Sequence, residues 1–308
     1  MGPGPSSAKD YPVLDSLLSV QLLFAAAVLG ALYALIGLGL NLVYGTMRLL
    51  NIAHGDILML GAYAAFWCFS LTGVSPILAL PLIAAGGAGF GLALYMLLFR
   101  RQLAQGLDPA VIEARSLLLF FGVSVVIQNM TALFFTATPR AYRHLDTVYR
   151  WGDTAMTGNR IAALIVAVGI LAAVLVFLNR TLFGMEIKAL IQHREAARIV
   201  GIHVERVQRV AIALGFAAAA VAGALLSMTE QTQPFMGFRF TIAAFVVIIM
   251  GGLGNIRGGI IAGFLLAVIE IYAVTIFSAE ARSILIYGAF VAVLLIRPQG
   301  LLGRARRA

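Results

Sequence analysis

Long apolar stretches dominate this chain and constrain its fold more than any other feature. A helix that crosses a bilayer needs about 20 predominantly apolar residues, and only 11% of the 308 residues are charged, against about 25% in an ordinary soluble domain. The sequence therefore predicts an all-α polytopic integral membrane protein. The candidate segments are residues 20–44, 53–71, 77–99, 116–135, 161–178, 210–228, 240–277 and 283–296.

Two of these segments are irregular. The 240–277 stretch is too long for one crossing and contains GGLGNIRGG at 251–259, so it is expected to form two shorter helices. The 53–71 stretch is short and follows the polar run NIAHGD at 51–56. We therefore expect a bundle of about eight or nine membrane segments with Gly-broken helices. Glycine pairs such as Gly87 and Gly91 favour close helix packing in such a bundle.

The basic residues predict how the chain is oriented. Residues 1–17 form a polar N-terminal tail, and 18–308 are expected to form a single transmembrane domain. Arginines and lysines concentrate at 100–115, at 179–209 and in the C-terminal tail, which the positive-inside rule places in the cytoplasm. These three regions share one side only if 240–277 crosses twice, and residues 136–160 then lie on the opposite side.

Polar residues interrupt the apolar pattern at two related places, NIAHGDILML (51–60) and NIRGGIIAGF (255–264). Paired glycine-interrupted segments in the two halves of a membrane protein indicate discontinuous helices beside a substrate path. The candidate residues for this path, or for the helix breaks themselves, are Asn51, His54, Gly55, Asp56, Gly254, Asn255, Arg257 and Glu270.

The ionisable members of this set admit three interpretations. A charge near the bilayer centre costs roughly 2.5–3.5 kcal/mol on insertion scales, which implies a role for each. Asp56 and Arg257 either pair and hold the two broken helices together, or line the translocation path, or lie at the membrane surface. Gln128 and Asn129, in the middle of a span, are expected to make hydrogen bonds between helices.

Several classes of function are excluded by the sequence. The two lysines, Lys9 and Lys188, do not follow glycine, so a Walker A sequence is absent and the chain has no ATP-binding P-loop of its own. No catalytic, metal or nucleic-acid motif is present, and we expect no directly bound cofactor. The net charge of +9 comes from residues flanking the apolar stretches, as topology signals do.

The most charged segment, residues 187–209, contains EAARIVG at 195–201. This pattern predicts a short cytoplasmic helix that ends at Gly201, a residue suited to the left-handed conformation. Such a helix suits either a docked protein partner or contact with anionic membrane lipid. The candidate residues are Glu195, Ala196, Ala197, Arg198 and Gly201.

The EAA-x-x-x-G pattern resembles the coupling loop of permease subunits in ATP-binding-cassette importers. Three further stretches resemble LivH-type permeases of branched-chain amino acid importers, in the order of that family and over nearly the whole chain. They are GLNLVYGTMRLLNIAHGDILMLGAY (39–63), FVVIIMGGLGNIRGGIIAG (245–263) and RPQGLLGR (297–304).

The resemblance implies a non-catalytic translocation subunit of the bacterial inner membrane for branched-chain amino acids or a related small polar solute. Its implied partners are a second, LivM-like permease, two cytoplasmic ATPases (LivG/LivF-like) that use the ATP, and an extracytoplasmic substrate-binding protein. Two alternatives stay open. The chain serves a urea, short-amide or organic-acid importer of the same family, or it is an ion-coupled secondary transporter acting alone, with Asp56 and Glu270 as ion sites.

Overall fold

The computed structural model describes residues 19–151, 154–277, 281–297 and 299–302, so the polar tail at 1–17 lies outside the described residues. A π-helical turn, Tyr95–Phe99, joins the helices Pro76–Leu94 and Arg100–Ala104. The elements in chain order are α1 Val20–Met47, α2 His54–Thr72, α3 Pro76–Leu94, α4 Arg100–Ala104, α5 Pro109–Phe135, β1 Val148–Trp151, β2 Thr154–Thr157, α6 Gly158–Arg180, α7 Leu182–Gln192, α8 Arg194–Ile199, α9 Val204–Leu226, α10 Gly237–Gly251, α11 Ile256–Ile276 and α12 Ala281–Ile296.

The apolar stretches become helices because backbone groups inside a bilayer must form hydrogen bonds within their own segment. Among the described residues, seven helices are long and apolar enough to cross a membrane. Two shorter apolar helices, Gly237–Gly251 and Ile284–Ile296, complete the set. The chain is thus a multi-pass α-helical membrane protein, as the sequence predicts.

The 240–277 stretch forms two helices, α10 and α11, rather than one. They are separated at residues 252–255, and α11 begins where the side chain of Asn255 accepts a hydrogen bond from the Gly258 amide at 3.0 Å. An N-cap of this kind satisfies an amide that has no partner within the helix. The split supplies the second crossing that the distribution of basic residues requires.

Two helices, α1 and α9, form the centre of the bundle and are its most buried spans. Helix α1 packs along α9 and α11, while α9 also contacts α2 and α3. The glycines of α3 allow the expected close packing. A β-carbon on Gly91 would lie only 2.7 Å from the Phe216 ring of α9.

The outer helices α3, α5 and α6 bury much less of their surface within the chain. Apolar side chains such as Leu118, Leu133 and Ile165 are exposed by 73%, 73% and 65%. Contiguous apolar surface of this extent requires an apolar environment. These faces therefore contact lipid or another membrane protein.

The bundle has two distinct ends. We call one the loop end, because α4, α7, α8 and residues 297–302 meet there. The Arg194 side chain donates to the Leu103 carbonyl (3.3 Å), Arg100 pairs with Glu205 (2.9 Å), and the Asn255 side chain donates to the Leu302 carbonyl (2.7 Å). The described parts of the three basic regions therefore lie at one end, as predicted.

The opposite end, here called the hairpin end, carries the antiparallel strands β1 and β2, in which Val148 faces Thr157. Tyr142, in the same 136–157 connection, packs its ring against Phe66 and Phe69 of α2. This connection thus lies across the bundle from the three basic regions, as expected.

The connection at 179–209, expected as a cytoplasmic loop that contains a short helix, is mostly helical. Helix α6 continues to Arg180, α7 and α8 occupy most of the segment, and α9 already begins at Val204. Helix α5 likewise begins at Pro109, ahead of the apolar stretch. The reason is that arginine and glutamate have good helix propensity, so polar turns extend a helix beyond its apolar part.

Candidate functional site

Helix α2 begins inside the bundle rather than at its surface. His54, its first residue, places Nε2 3.0 Å from the Ile36 carbonyl oxygen, in the middle of α1. From Ile36, α1 continues for eleven residues to Met47, about 16 Å at 1.5 Å per residue. Residues 48–53 must therefore turn back along α1 before α2 starts.

The start of α2 packs tightly against the start of α10. The Gly55 amide donates to Thr241 Oγ1 at 2.9 Å, and the Thr241 hydroxyl donates to the Ile52 carbonyl at 2.9 Å. A β-carbon on Gly55 would lie 1.9 Å from the Gly237 carbonyl oxygen, so only glycine fits. Protein groups thus satisfy the irregular backbone, as non-helical backbone within a bilayer requires.

Asp56 is a buried carboxylate in the first turn of α2, where the helix dipole favours a negative charge. Its two oxygens accept hydrogen bonds from the Ser124 hydroxyl and, at 3.0 Å, from Gln128 Nε2, both on α5. Of the three interpretations of Asp56 and Arg257, direct pairing is not the one the structure has, because α5 supplies neutral donors to Asp56. Gln128 does link two helices, as predicted, whereas Asn129 donates to Val125 of its own helix.

The second break is held by α1. The Asn41 side chain accepts from the Gly254 amide at 2.8 Å and donates to the Asn255 carbonyl at 2.9 Å. The Gly254 amide has no partner within a helix, whereas the Asn255 carbonyl also accepts a hydrogen bond from the Gly259 amide at 2.9 Å. Asn41 is fully buried, so this single amide fixes the junction between α10 and α11 against the centre of the bundle.

The two asparagines that align in the sequence play different roles. Asn255 caps α11, whereas Asn51 lies three residues ahead of α2. Asn51 is fully buried, and its side chain makes no hydrogen bond to any part of the chain that the structure describes. The match between the two segments therefore extends to a helix start beside a glycine, but not to the same depth in the bundle or to the same contacts.

Arg257 and Glu270 lie at opposite ends of α11. Arg257 is exposed and lines a cleft of about 460 Å³ at the loop end, together with Lys188 and Asn179. Glu270 is buried thirteen residues later, about 20 Å along the helix, and accepts a hydrogen bond from the Tyr33 hydroxyl at 2.6 Å. The predicted ionisable residues therefore do not converge on one site.

The EAA segment forms the short helix α8, as predicted, and the chain leaves it at Gly201, where φ is +86°. The residues of α8 that face outward, together with the next residue, form what we call the α8 surface. Ile199 and Val200 are its most exposed apolar members, at 86% and 75%. The α8 surface consists of Glu195, Ala196, Arg198, Ile199 and Val200.

The inner side of this segment is packed into the bundle. Ala197 of α8 and Ile187 of α7 are buried. Ile191 sits between α1 and the second break, since added β-carbons on Gly45 and Gly254 would lie 3.1 and 3.2 Å from its side chain. Helix α7 therefore contacts the α10–α11 junction directly.

Arg194 ties α8 to α4 through its bond to the Leu103 carbonyl. Burial, and then the nearby charge of Arg198, lower the pKa of the Arg194 guanidinium. The group stays cationic at neutral pH because an arginine pKa ordinarily lies above about 12. It therefore contributes a fixed charge behind the α8 surface.

Sequence reasoning missed five residues that the structure makes prominent: Asn41, Ser124, Thr241, Ile199 and Val200. The first three are polar residues within apolar stretches, which is a usable signal because such residues are rare in membrane helices. Ile199 and Val200 carry no such signal, because exposure of an apolar side chain depends on the surrounding structure.

Comparison with known proteins agrees with the resemblance described above. Residues 22–294 match the family described as "Branched-chain amino acid transport system / permease component". The chain is 28% identical over 300 residues to BraD of Pseudomonas aeruginosa, described as a high-affinity branched-chain amino acid transport system permease protein, covering 92% of this chain and 96% of BraD.

Two proteins of Escherichia coli strain K12 with the same description are also similar to the chain. LivH is 29% identical over 302 residues, covering 92% of this chain and 96% of LivH. LivM is 27% identical over 307 residues, covering 91% of this chain and 70% of LivM. No solved structure matches the chain at a significant level.

Proposed function

The chain belongs to the family of permease components of branched-chain amino acid transport systems, and from this premise we propose that it is the permease subunit of an ATP-binding-cassette importer. It works in the bacterial inner membrane, with the loop end in the cytoplasm. It forms part of the path for branched-chain amino acids or a related small polar solute, and separate ATPases drive it.

The observation that carries this proposal is the α8 surface. Ile199 and Val200 are exposed beside the charged residues Glu195 and Arg198, on a helix outside the membrane spans. Burying a large aliphatic side chain stabilises a complex by roughly 1.5–3 kcal/mol. A docked ATPase would bury both apolar side chains, while the flanking charges fix its orientation.

Rigid contacts support transmission from this surface into the membrane. Ala197 anchors α8 from behind, and the Ile202 amide donates to the Ala197 carbonyl at 3.0 Å immediately before α9 begins. Movement of α8 is thereby passed to α9, the most buried helix, and through Ile191 to the second break. Small shifts of packed helices are a known basis for gating.

The sequence and the relatives support a division of labour among subunits. The sequence contains no P-loop, which fits the proposal that two LivG/LivF-like ATPases use the ATP. LivH and LivM of E. coli share one description and both resemble this chain, which supports a core of two related permeases. An extracytoplasmic binding protein would deliver the substrate at the hairpin end.

Reconstitution into lipid vesicles tests the proposal against the ion-coupled alternative. With its partners present, we expect leucine uptake that requires ATP. With the purified chain alone, we expect no uptake when an ion gradient is imposed. Concentrative uptake by the chain alone, driven by such a gradient, would replace the importer proposal with a secondary transporter.

Variants of the α8 surface refine this test. Ile199→Asp, Val200→Asp and Glu195→Arg should leave the chain in the membrane but abolish ATP-driven uptake, as should Gly201→Trp, which places a bulky side chain at a positive φ. Leu71→Asp is the matched control, since Leu71 is 75% exposed at the other end of the bundle. Normal uptake in all four variants would remove the coupling role of α8.

A further inference from the structure

A cleft of about 310 Å³ opens at the hairpin end, between the first half of α1 and the second half of α11. Its volume falls in the range of small-molecule sites, about 300–1,000 Å³. One wall is the α1 face formed by Leu22, Ala25, Leu29 and Leu32, and Leu226 and Ile271 face it. The walls are therefore mostly aliphatic.

Charged groups of both signs line this aliphatic cleft. Glu270 lies buried in it, and its carboxylate is oriented by the Tyr33 hydroxyl at 2.6 Å. Glu230 also lines the cleft but forms an ion pair with Arg239, so its charge is balanced. A carboxylate accepts about four hydrogen bonds, so the Tyr33 contact is compatible with an ammonium group on the same carboxylate.

Arg160 supplies the opposite charge. It is exposed at the third residue of α6, and its side chain lines the same cleft. The N-terminus of a helix carries about half a positive charge, so the helix end adds to the field of the guanidinium. An anionic group is therefore favoured near Arg160, and a cationic group near Glu270.

We propose that this cleft binds a small aliphatic α-amino acid as its zwitterion. Glu270 receives the ammonium group, Arg160 receives the carboxylate, and the α1 face holds the aliphatic side chain. The inference rests on the proposed function and deepens it, because it gives this subunit its own substrate site at the end where solute would enter. Recognition is then not confined to a separate binding protein.

Ligands that lack one charge test the two assignments separately. The full chain in lipid nanodiscs is titrated with L-leucine, with 4-methylpentanoate, which lacks the ammonium group, and with 3-methylbutylamine, which lacks the carboxylate. Glu270→Gln should weaken leucine and 3-methylbutylamine binding at least tenfold and leave 4-methylpentanoate unchanged. Arg160→Gln should weaken the binding of leucine and 4-methylpentanoate and leave the binding of 3-methylbutylamine unchanged.

Two further variants separate loss of the site from loss of the fold. Ala25→Phe fills the cleft without changing a charge and should abolish binding of all three ligands. Ala64→Phe, in the apolar groove between α2 and α3, is the control and should bind normally. Asp146→Asn removes a charge from the exposed 136–157 connection and should also leave the binding of all three ligands unchanged.

Three results would overturn the assignment. The first is equal leucine affinity in Glu270→Gln and the wild type. The second is loss of binding of all three ligands in both charge variants alike. The third is the absence of saturable binding by the wild type at about 10 mM leucine, which is ten times the upper end of usual KM values. These results leave the importer proposal standing if uptake still requires ATP. Conversely, leucine binding without any ATP-dependent uptake would support the binding site and refute the importer proposal.

Discussion

Asp56 should couple energetically to Ser124, because the Ser124 hydroxyl donates to a buried carboxylate. A hydrogen bond to a charged group contributes about 1.5–3 kcal/mol, whereas neutral side-chain bonds between membrane helices average about 0.6 kcal/mol. Ser124→Ala should therefore cost about 1.5–3 kcal/mol in the wild type. In the Asp56→Asn background it should cost only about 0.6 kcal/mol, which gives a coupling of about 0.9–2.4 kcal/mol.

Equilibrium unfolding in mixed micelles titrated with dodecyl sulfate measures this double-mutant cycle. The fluorescence of Trp67 on α2 is a suitable probe, since its ring lies 5.6 Å from that of Phe135 on α5. Asn129→Ala is the control. It removes a bond within α5 at an exposed position and should change the unfolding free energy by at most about 0.5 kcal/mol. A coupling below about 0.5 kcal/mol, the limit for independent sites, would refute the Asp56 assignment.

Three other perturbations test the fold. Gly55→Ala should prevent monodisperse folding in size-exclusion chromatography, because the new β-carbon would lie 1.9 Å from the Gly237 carbonyl oxygen, whereas Gly122→Ala faces open space and should behave normally. Burial raises the pKa of Tyr142 to about 12, partly opposed by its bond to Ser227. The folded state therefore keeps a proton that the unfolded chain loses above pH 10, so the unfolding free energy of the wild type should fall between pH 10 and about 12. Tyr142→Phe lacks this ionisable group and should not show this contribution to the fall. Glu205→Gln breaks an ion pair whose side chains are 61% and 47% exposed, and it should cost under about 1 kcal/mol of unfolding free energy; a larger loss would show that the pair is shielded from water.

The polytopic helical bundle and the grouping of its connections at two ends were predictable from the sequence. Long apolar stretches leave the backbone no alternative to helix in a bilayer, and the basic residues required 240–277 to cross twice. The helix ends were less predictable. Polar turns continue α5 and α9 past their apolar parts, and composition alone does not mark where such an extension stops.

The contacts of the polar residues were not predictable in the same way. Pairing of Asp56 with Arg257 was one of three interpretations that the sequence left open, and the structure instead satisfies Asp56 with two neutral donors on α5. Which residue of α5 faces α2 depends on the rotation of both helices, which sequence periodicity leaves open when a helix is apolar on every side. Exposure of Ile199 and Val200 likewise depends on how α8 docks on the bundle.

Sided labelling of one engineered cysteine tests the central claim most directly. The sequence has a single cysteine, Cys68, so Ile199→Cys in a Cys68→Ser chain gives a unique site. A membrane-impermeant maleimide should label it in inverted membrane vesicles stripped of ATPases. The maleimide should not label this cysteine in right-side-out vesicles. It should also not label the cysteine in inverted vesicles to which the ATPases have been bound again.

Val148 lies at the hairpin end and is 54% exposed. Val148→Cys should therefore be labelled from the opposite side of the membrane, and bound ATPases should not protect it. The account predicts both patterns together. Labelling of residue 199 from the outer face, or labelling that bound ATPases leave unchanged, would contradict the claim that this chain is driven by an ATPase docked on the α8 surface.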